Sequence, residues 1–194
     1  MDSSSHISSL IDDLTSANKE TLERAAIDAQ ILLQVANLSP DDSSSSVNSL
    51  RDILSPEYST IVLSESDMDV IAGRLIKLLD GPPEIVGLSA AGLRYSGRPY
   101  SIPKLSETLI KYMLLDNLIA QQLIYALDEL VLVLVTIGGR RPLTPEEDGY
   151  IRDACTVLHQ AAEIAVGSTT GVGRTAGDHL RIMRDRVESI GRSC

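Results

Sequence analysis

The chain has 194 residues, 43% of them hydrophobic and 23% charged, long enough to bury a core without metals or disulfides. It holds no Phe, no Trp and six Tyr, so its core is aliphatic, and its formal net charge of -10 excludes the overall basic field that attracts nucleic acid or anionic lipid. The acidity is uneven: residues 1–80 carry 5 basic and 14 acidic side chains, whereas residues 140–194 carry 8 and 8.

Residues 1–16 place Ile7, Leu10, Ile11 and Leu14 at helical spacing with Asp12 and Asp13 opposite, which predicts a short amphipathic arm. Residues 18–36 predict a helix, with Glu20 and Glu23 in its first turns and a stripe of Leu22, Ala26, Ala29, Leu33 and Ala36 suited to close packing. Residues 39–46, reading SPDDSSSS, predict a solvated loop, because Pro ends the helix before it and Asp and Ser bond their own backbone. Two helical turns are predicted over 47–54 and a short extended segment over the β-branched 58–63. A helix then starts with Ser66 as its cap and turns Val70, Ile71, Leu75, Leu78 and Leu79 inward. Four glycines and four prolines make residues 81–103 a predicted Gly/Pro-rich loop, of a length that is commonly functional.

Residues 105–115 and 117–137 predict two central helices. In the second, Gln121, Tyr125 and Asp128 form a narrow polar stripe, and 130–137 is apolar all round, as in a helix buried on every side. The stretch 118–137 is long enough to span a bilayer, yet Asp128 and Glu129 at its centre are unfavourable there, so a core helix and no membrane span are expected. Thr144, Pro145 and Glu147 make a capping box with Pro at the first helical position, opening a helix through Ile151, Ala154, Leu158 and Ala161. Residues 167–177, GSTTGVGRTAG, predict a flexible loop before a last helix in which Leu180, Met183, Val187 and Ile190 form a short heptad seam.

Chemistry-bearing constellations are few. A phosphate loop at 168–175 lacks the first Gly and the Lys, since Ser168 and Arg174 stand in those places. Asp128 and Glu129 point about 100° apart on a helix and cannot face one site together; a buried Asp128 needs a cation, for which Arg140 or Arg141 is the expected source. Met1 to Ser5 gives no secretory signal, so an intracellular protein with two free thiols, Cys155 and Cys194, is expected. Cys155 and His159 share a helix face at i and i+4, the spacing of a thiol with its base, but no third group or metal-binding box accompanies them, and neither metal nor cofactor is expected. Arg94, Tyr95, Arg98 and Tyr100 cluster in the 81–103 loop and, with Arg140 and Arg141, make a local surface rich in residue types that dominate binding.

The expectation is an all-α, single-domain helical bundle of about six to eight helices: an arm at 1–16, a core at 17–177 and a docking helix at 178–194. Its expected role is non-enzymatic association, with a protein partner or with itself as a homo-oligomer, through the arginine and tyrosine surface and the two amphipathic ends. The alternatives are a nucleic-acid-associated coat or nucleoprotein subunit touching phosphates through Arg94, Arg98, Arg140, Arg141 and Arg174, and a small enzyme using Cys155 and His159.

Overall fold

The computed structural model describes residues 3–37, 49–164 and 171–194; the serine-rich loop at 39–46 and the start of the GSTTGVGRTAG segment lie outside the described residues. The protein is all-α. Among the described residues eight α-helices of 11 to 22 residues form, and no strand. The contacts of the chain fall into two compact units, Met1–Ser96 and Gly97–Cys194.

The first unit contains α1 (Ser3–Asp13), α2 (Lys19–Asn37), α3 (Glu65–Leu78) and α4 (Pro83–Arg94). α2 buries Ala26, Ala29 and Leu33 from the predicted stripe and packs chiefly on α4. The amphipathic arm is α1, and it is integral to this core: Ile7, Leu10 and Leu14 are buried, while Ile11 is half-buried. Ser64, not the predicted Ser66, caps α3. Its hydroxyl accepts from the Asp67 N–H at 3.2 Å while the Asp67 carboxylate accepts from the Ser64 N–H at 2.9 Å, a reciprocal pair that Ser66 is too late in the chain to form.

Residues 81–103 are not one loop. Pro82 and Pro83 open α4, where a missing N–H leaves no bond unmade, and Ile85, Val86, Ala90 and Leu93 are fully buried. Gly92 inside it answers a packing requirement, because a Cβ there would lie 2.7 Å from Leu75 Cδ1 and 3.7 Å from Gln30 Cα. Gly92→Val is therefore expected to destabilise the protein by about 1–3 kcal/mol through overpacking. Thermal unfolding followed by circular dichroism checks this, and an unchanged midpoint would refute the close approach.

The predicted extended segment at 58–63 is also corrected. Tyr58 closes a 3-10 turn, Pro56–Tyr58; the Ile61 N–H donates to the Tyr58 carbonyl, and Arg51 Nη1 donates to the Ser59 and Ile61 carbonyls. Groups that a strand would offer to a neighbour are thus used locally.

The second unit contains α5 (Ile102–Tyr112), α6 (Asn117–Gly138), α7 (Pro145–Ile164) and α8 (Gly171–Glu188), preceded by a 3-10 turn, Pro99–Ser101. α6 is its core, helical past Glu129, with Leu123, Leu127, Leu130 and Leu134 fully buried among α5, α7 and α8. By length and composition alone α6 could cross a membrane; 56% of its most apolar window is buried inside the protein. α7 begins at the predicted capping box, with the Glu147 N–H donating to Thr144 Oγ1 at 3.2 Å and the Thr144 N–H donating to the Glu147 carboxylate at 2.8 Å.

α8 starts earlier than predicted, so residues 171–177 are helix and not loop. Val172 and Ala176 are buried four residues apart, and that tertiary burial outweighs the poor helix propensity of Gly171, Gly173 and Gly177. Leu180, Met183 and Val187 continue the buried side against α6 and α7, with Ile190 half-buried beyond them. The last helix is thus part of the unit and not a peripheral docking element.

Gly191, at φ 71°, ends this path in a left-handed turn, closed by the Arg192 N–H donating to the Val187 carbonyl at 3.2 Å. The turn carries the remaining residues to α7. There Arg192 Nε donates to Asp148 Oδ1 at 2.7 Å, and Cys194 is disulfide-bonded to Cys155 with 5.4 Å between their Cα atoms. Two free thiols were the expectation; both are consumed, because the Gly191 turn brings together cysteines 39 residues apart.

Candidate functional site

The buried carboxylate of each unit is paired from within. In the second unit the Asp128 carboxylate, 7% exposed, receives Arg186 Nη1 at 2.9 Å and lies 3.0 Å from His179 Nδ1, and the Tyr125 ring meets the imidazole edge-on at 5.1 Å. Arg140 and Arg141, the partners anticipated for Asp128, are not its partners; α8 supplies both. In the first unit buried Asp28 is bound by Arg24 at 3.0 Å and by the Ser55 N–H and hydroxyl at 3.0 and 2.7 Å. Cys155 carries no free thiol, and its i+4 neighbour His159 has Nε2 3.5 Å from Arg184 Nη2. The described part of the supposed phosphate loop, Gly171 to Thr175, is helical and follows a helix where such a loop follows a strand. Among the described residues no group of three His, Cys, Asp or Glu side chains is placed to hold a metal ion.

The predicted interaction residues do not form one loop. Arg94 and Tyr95 end α4, with the guanidinium 5.3 Å from the Tyr95 ring centre, whereas Arg98 and Tyr100 belong to the second unit. Arg140 and Arg141 occupy the turn after α6. Together with Arg192 they line a groove of about 410 Å³ whose walls include Gly138, Leu143 and Ile190. Arg141 binds Glu147 in a fork at 2.8 and 2.6 Å, and Arg192 is held by Asp148. The exposed Arg140 guanidinium makes no hydrogen bond or ion pair among the described residues.

Hydrogen bonds from Arg141, then from the Thr144 N–H, hold the Glu147 carboxyl down at about 2, against an ordinary 4.5. A carboxyl depressed on folding stabilises the fold above its ordinary value and loses that contribution as pH falls through the folded value. The start of α7 is therefore expected to loosen between pH 4.5 and about 2. Amide exchange at residues 144–148 checks this, and Arg141→Ala should move the loosening to higher pH; a variant with the wild-type profile would contradict it.

The most unusual surface was not anticipated from the sequence. At the turn joining α5 to α6, Ile110, Leu114, Leu115 and Leu118 are between 54% and 72% exposed. The helical path runs past Tyr112, since the Met113 N–H donates to the Leu109 carbonyl at 2.8 Å, so Ile110 and Leu114 share one face. Tyr112 and Met113 point inward and are buried. A signal was present: residues 112–115 are four consecutive apolar side chains, and neighbours about 100° apart on a helix cannot all face one core. No protein-family profile matches the chain, and no similar curated protein or solved structure is found.

Proposed function

We propose that the protein works by association and not by catalysis, and that its partner is a second copy of this chain, met through the turn between α5 and α6. The observation that carries this reading is the run of Ile110, Leu114, Leu115 and Leu118 in solvent. Several such side chains at one turn approach the few hundred Å² at which an apolar patch on a soluble protein marks an interaction site.

A second copy is favoured by charge. The patch lies in the unit Gly97–Cys194, which carries 11 basic and 12 acidic side chains, against 6 and 15 in Met1–Ser96. Two copies meeting through the nearly neutral unit avoid most of the repulsion of a chain with net charge -10. Lys111 and Asp116 flank the patch, so a twofold axis through it can set each lysine against the aspartate of the other copy. The nucleic-acid alternative has less support, because neither the 11 basic and 12 acidic side chains of Gly97–Cys194 nor the 6 and 15 of Met1–Ser96 make the basic field on which binding to a nucleic-acid backbone draws.

Static light scattering over roughly 10–500 µM tests this. The expected mass rises above 20.9 kDa towards twice that value, and Leu114→Ser/Leu118→Ser stays at the monomer mass with unchanged helicity. A wild-type chain that stays monomeric, or a double variant that associates equally well, contradicts the proposal.

A further inference from the structure

We infer that the groove at the end of α6 is an oxyanion site in which Arg140, Arg141 and Arg192 take a phosphate group, and that the Cys155–Cys194 disulfide keeps it assembled. The three guanidiniums line one groove with Gly138, whose missing side chain leaves room for Ile190, and Gly139. Three positive side chains stand against two carboxylates, Glu147 on Arg141 and Asp148 on Arg192, which leaves one net positive charge.

Those carboxylates orient Arg141 and Arg192 without exhausting them. A guanidinium has five N–H donors. Glu147 and the Pro142 carbonyl take donors on the Nη atoms of Arg141, and Asp148 takes the Nε of Arg192. The Nε of Arg141, both Nη groups of Arg192 and the whole of Arg140 remain for a ligand. Forked donors held in place on several sides suit a tetrahedral oxyanion, which accepts from each guanidinium in pairs.

One of the three arginines depends on the disulfide. Arg192 follows the left-handed turn at Gly191, and two residues later the chain is fixed to α7 through Cys194. A dithiol reductant that gives up two electrons and two protons, itself closing to a disulfide, leaves Cys155 and Cys194 as two thiols. The segment carrying Arg192 is then held by the turn's own bond to the Val187 carbonyl, and the Arg192 guanidinium by the single contact with Asp148, which is exposed and weak. Oxidation and phosphate binding should therefore strengthen each other.

The test is a calorimetric titration of the full chain with inorganic phosphate and, separately, with phosphoserine, so that free phosphate and a phosphate ester are told apart. In the oxidised protein Arg140→Ala and Arg192→Ala are each expected to weaken binding by roughly tenfold. Arg181→Ala, an exposed arginine elsewhere on α8, should change little. Reduction, or Cys194→Ser, should weaken wild-type binding about as much as Arg192→Ala and should add nothing in that variant. Circular dichroism monitors helicity throughout; where reduction lowers it, the oxidised Arg140→Ala and Arg192→Ala proteins decide the matter. Binding of either probe that follows this pattern supports the site, and the tighter of the two identifies its source. Equal affinity in wild type, Arg140→Ala and Arg192→Ala, or binding indifferent to reduction of a folded protein, overturns it.

Discussion

Changing His179 and Arg186 together to leucine is expected to destabilise the second unit by about 3–5 kcal/mol, the usual penalty for stranding a buried charge. The Asp128 carboxylate lies in the middle of the most apolar helix of the chain and is bound from α8 by those two side chains. Removing them leaves a charge among leucines with nothing to replace water. Adding Asp128→Leu should then recover most of the loss, because the cost lies in the unpaired charge and not in the absence of an ion pair. Urea midpoints for the double and triple variants check both steps. A triple variant no more stable than the double would mean that the three residues matter for shape and not for charge.

Cys194→Ser is expected to have a comparable effect. The disulfide closes a loop of 39 residues, and the entropy it removes from the unfolded chain corresponds to about 4 kcal/mol on the chain-entropy account. The fully reduced wild type and Cys194→Ser should unfold at the same urea concentration, both well below the oxidised wild type. Oxidised wild type that unfolds with the variant would show that the cross-link contributes nothing.

Elements whose periodicity and end signals agree were legible in the sequence. α2, α6 and the Thr144 capping box lie where the spacing of apolar residues and the cap chemistry place them. Misreadings arose where composition and packing disagree. Pro82, Pro83 and Gly92 count as loop formers, yet the first two begin a helix and the third lets that helix approach α2 and α3. Gly171, Gly173 and Gly177 likewise suggest a loop, and the burial of Val172 and Ala176 overrules them. The partners of Asp128 lie 51 and 58 residues away, beyond the reach of any local pattern, and so does the pairing of Cys155 with Cys194.

The candidate surfaces divide in the same way. Arg140 and Arg141 stood out as residue types, but Arg192, which completes their groove, depends on the Gly191 turn. Leu114, Leu115 and Leu118 resemble core residues in the sequence, and only the path of the chain shows them in solvent.

The buried carboxylates of both units, Asp28 and Asp128, are paired from within, so association depends on what meets the turn between α5 and α6. Amide hydrogen exchange of residues 110–118, followed as the protein is concentrated, addresses it most directly. Exchange there should slow with rising concentration in the wild type and stay constant in Leu114→Ser/Leu118→Ser. Exchange at that turn which is the same at every wild-type concentration would contradict the account.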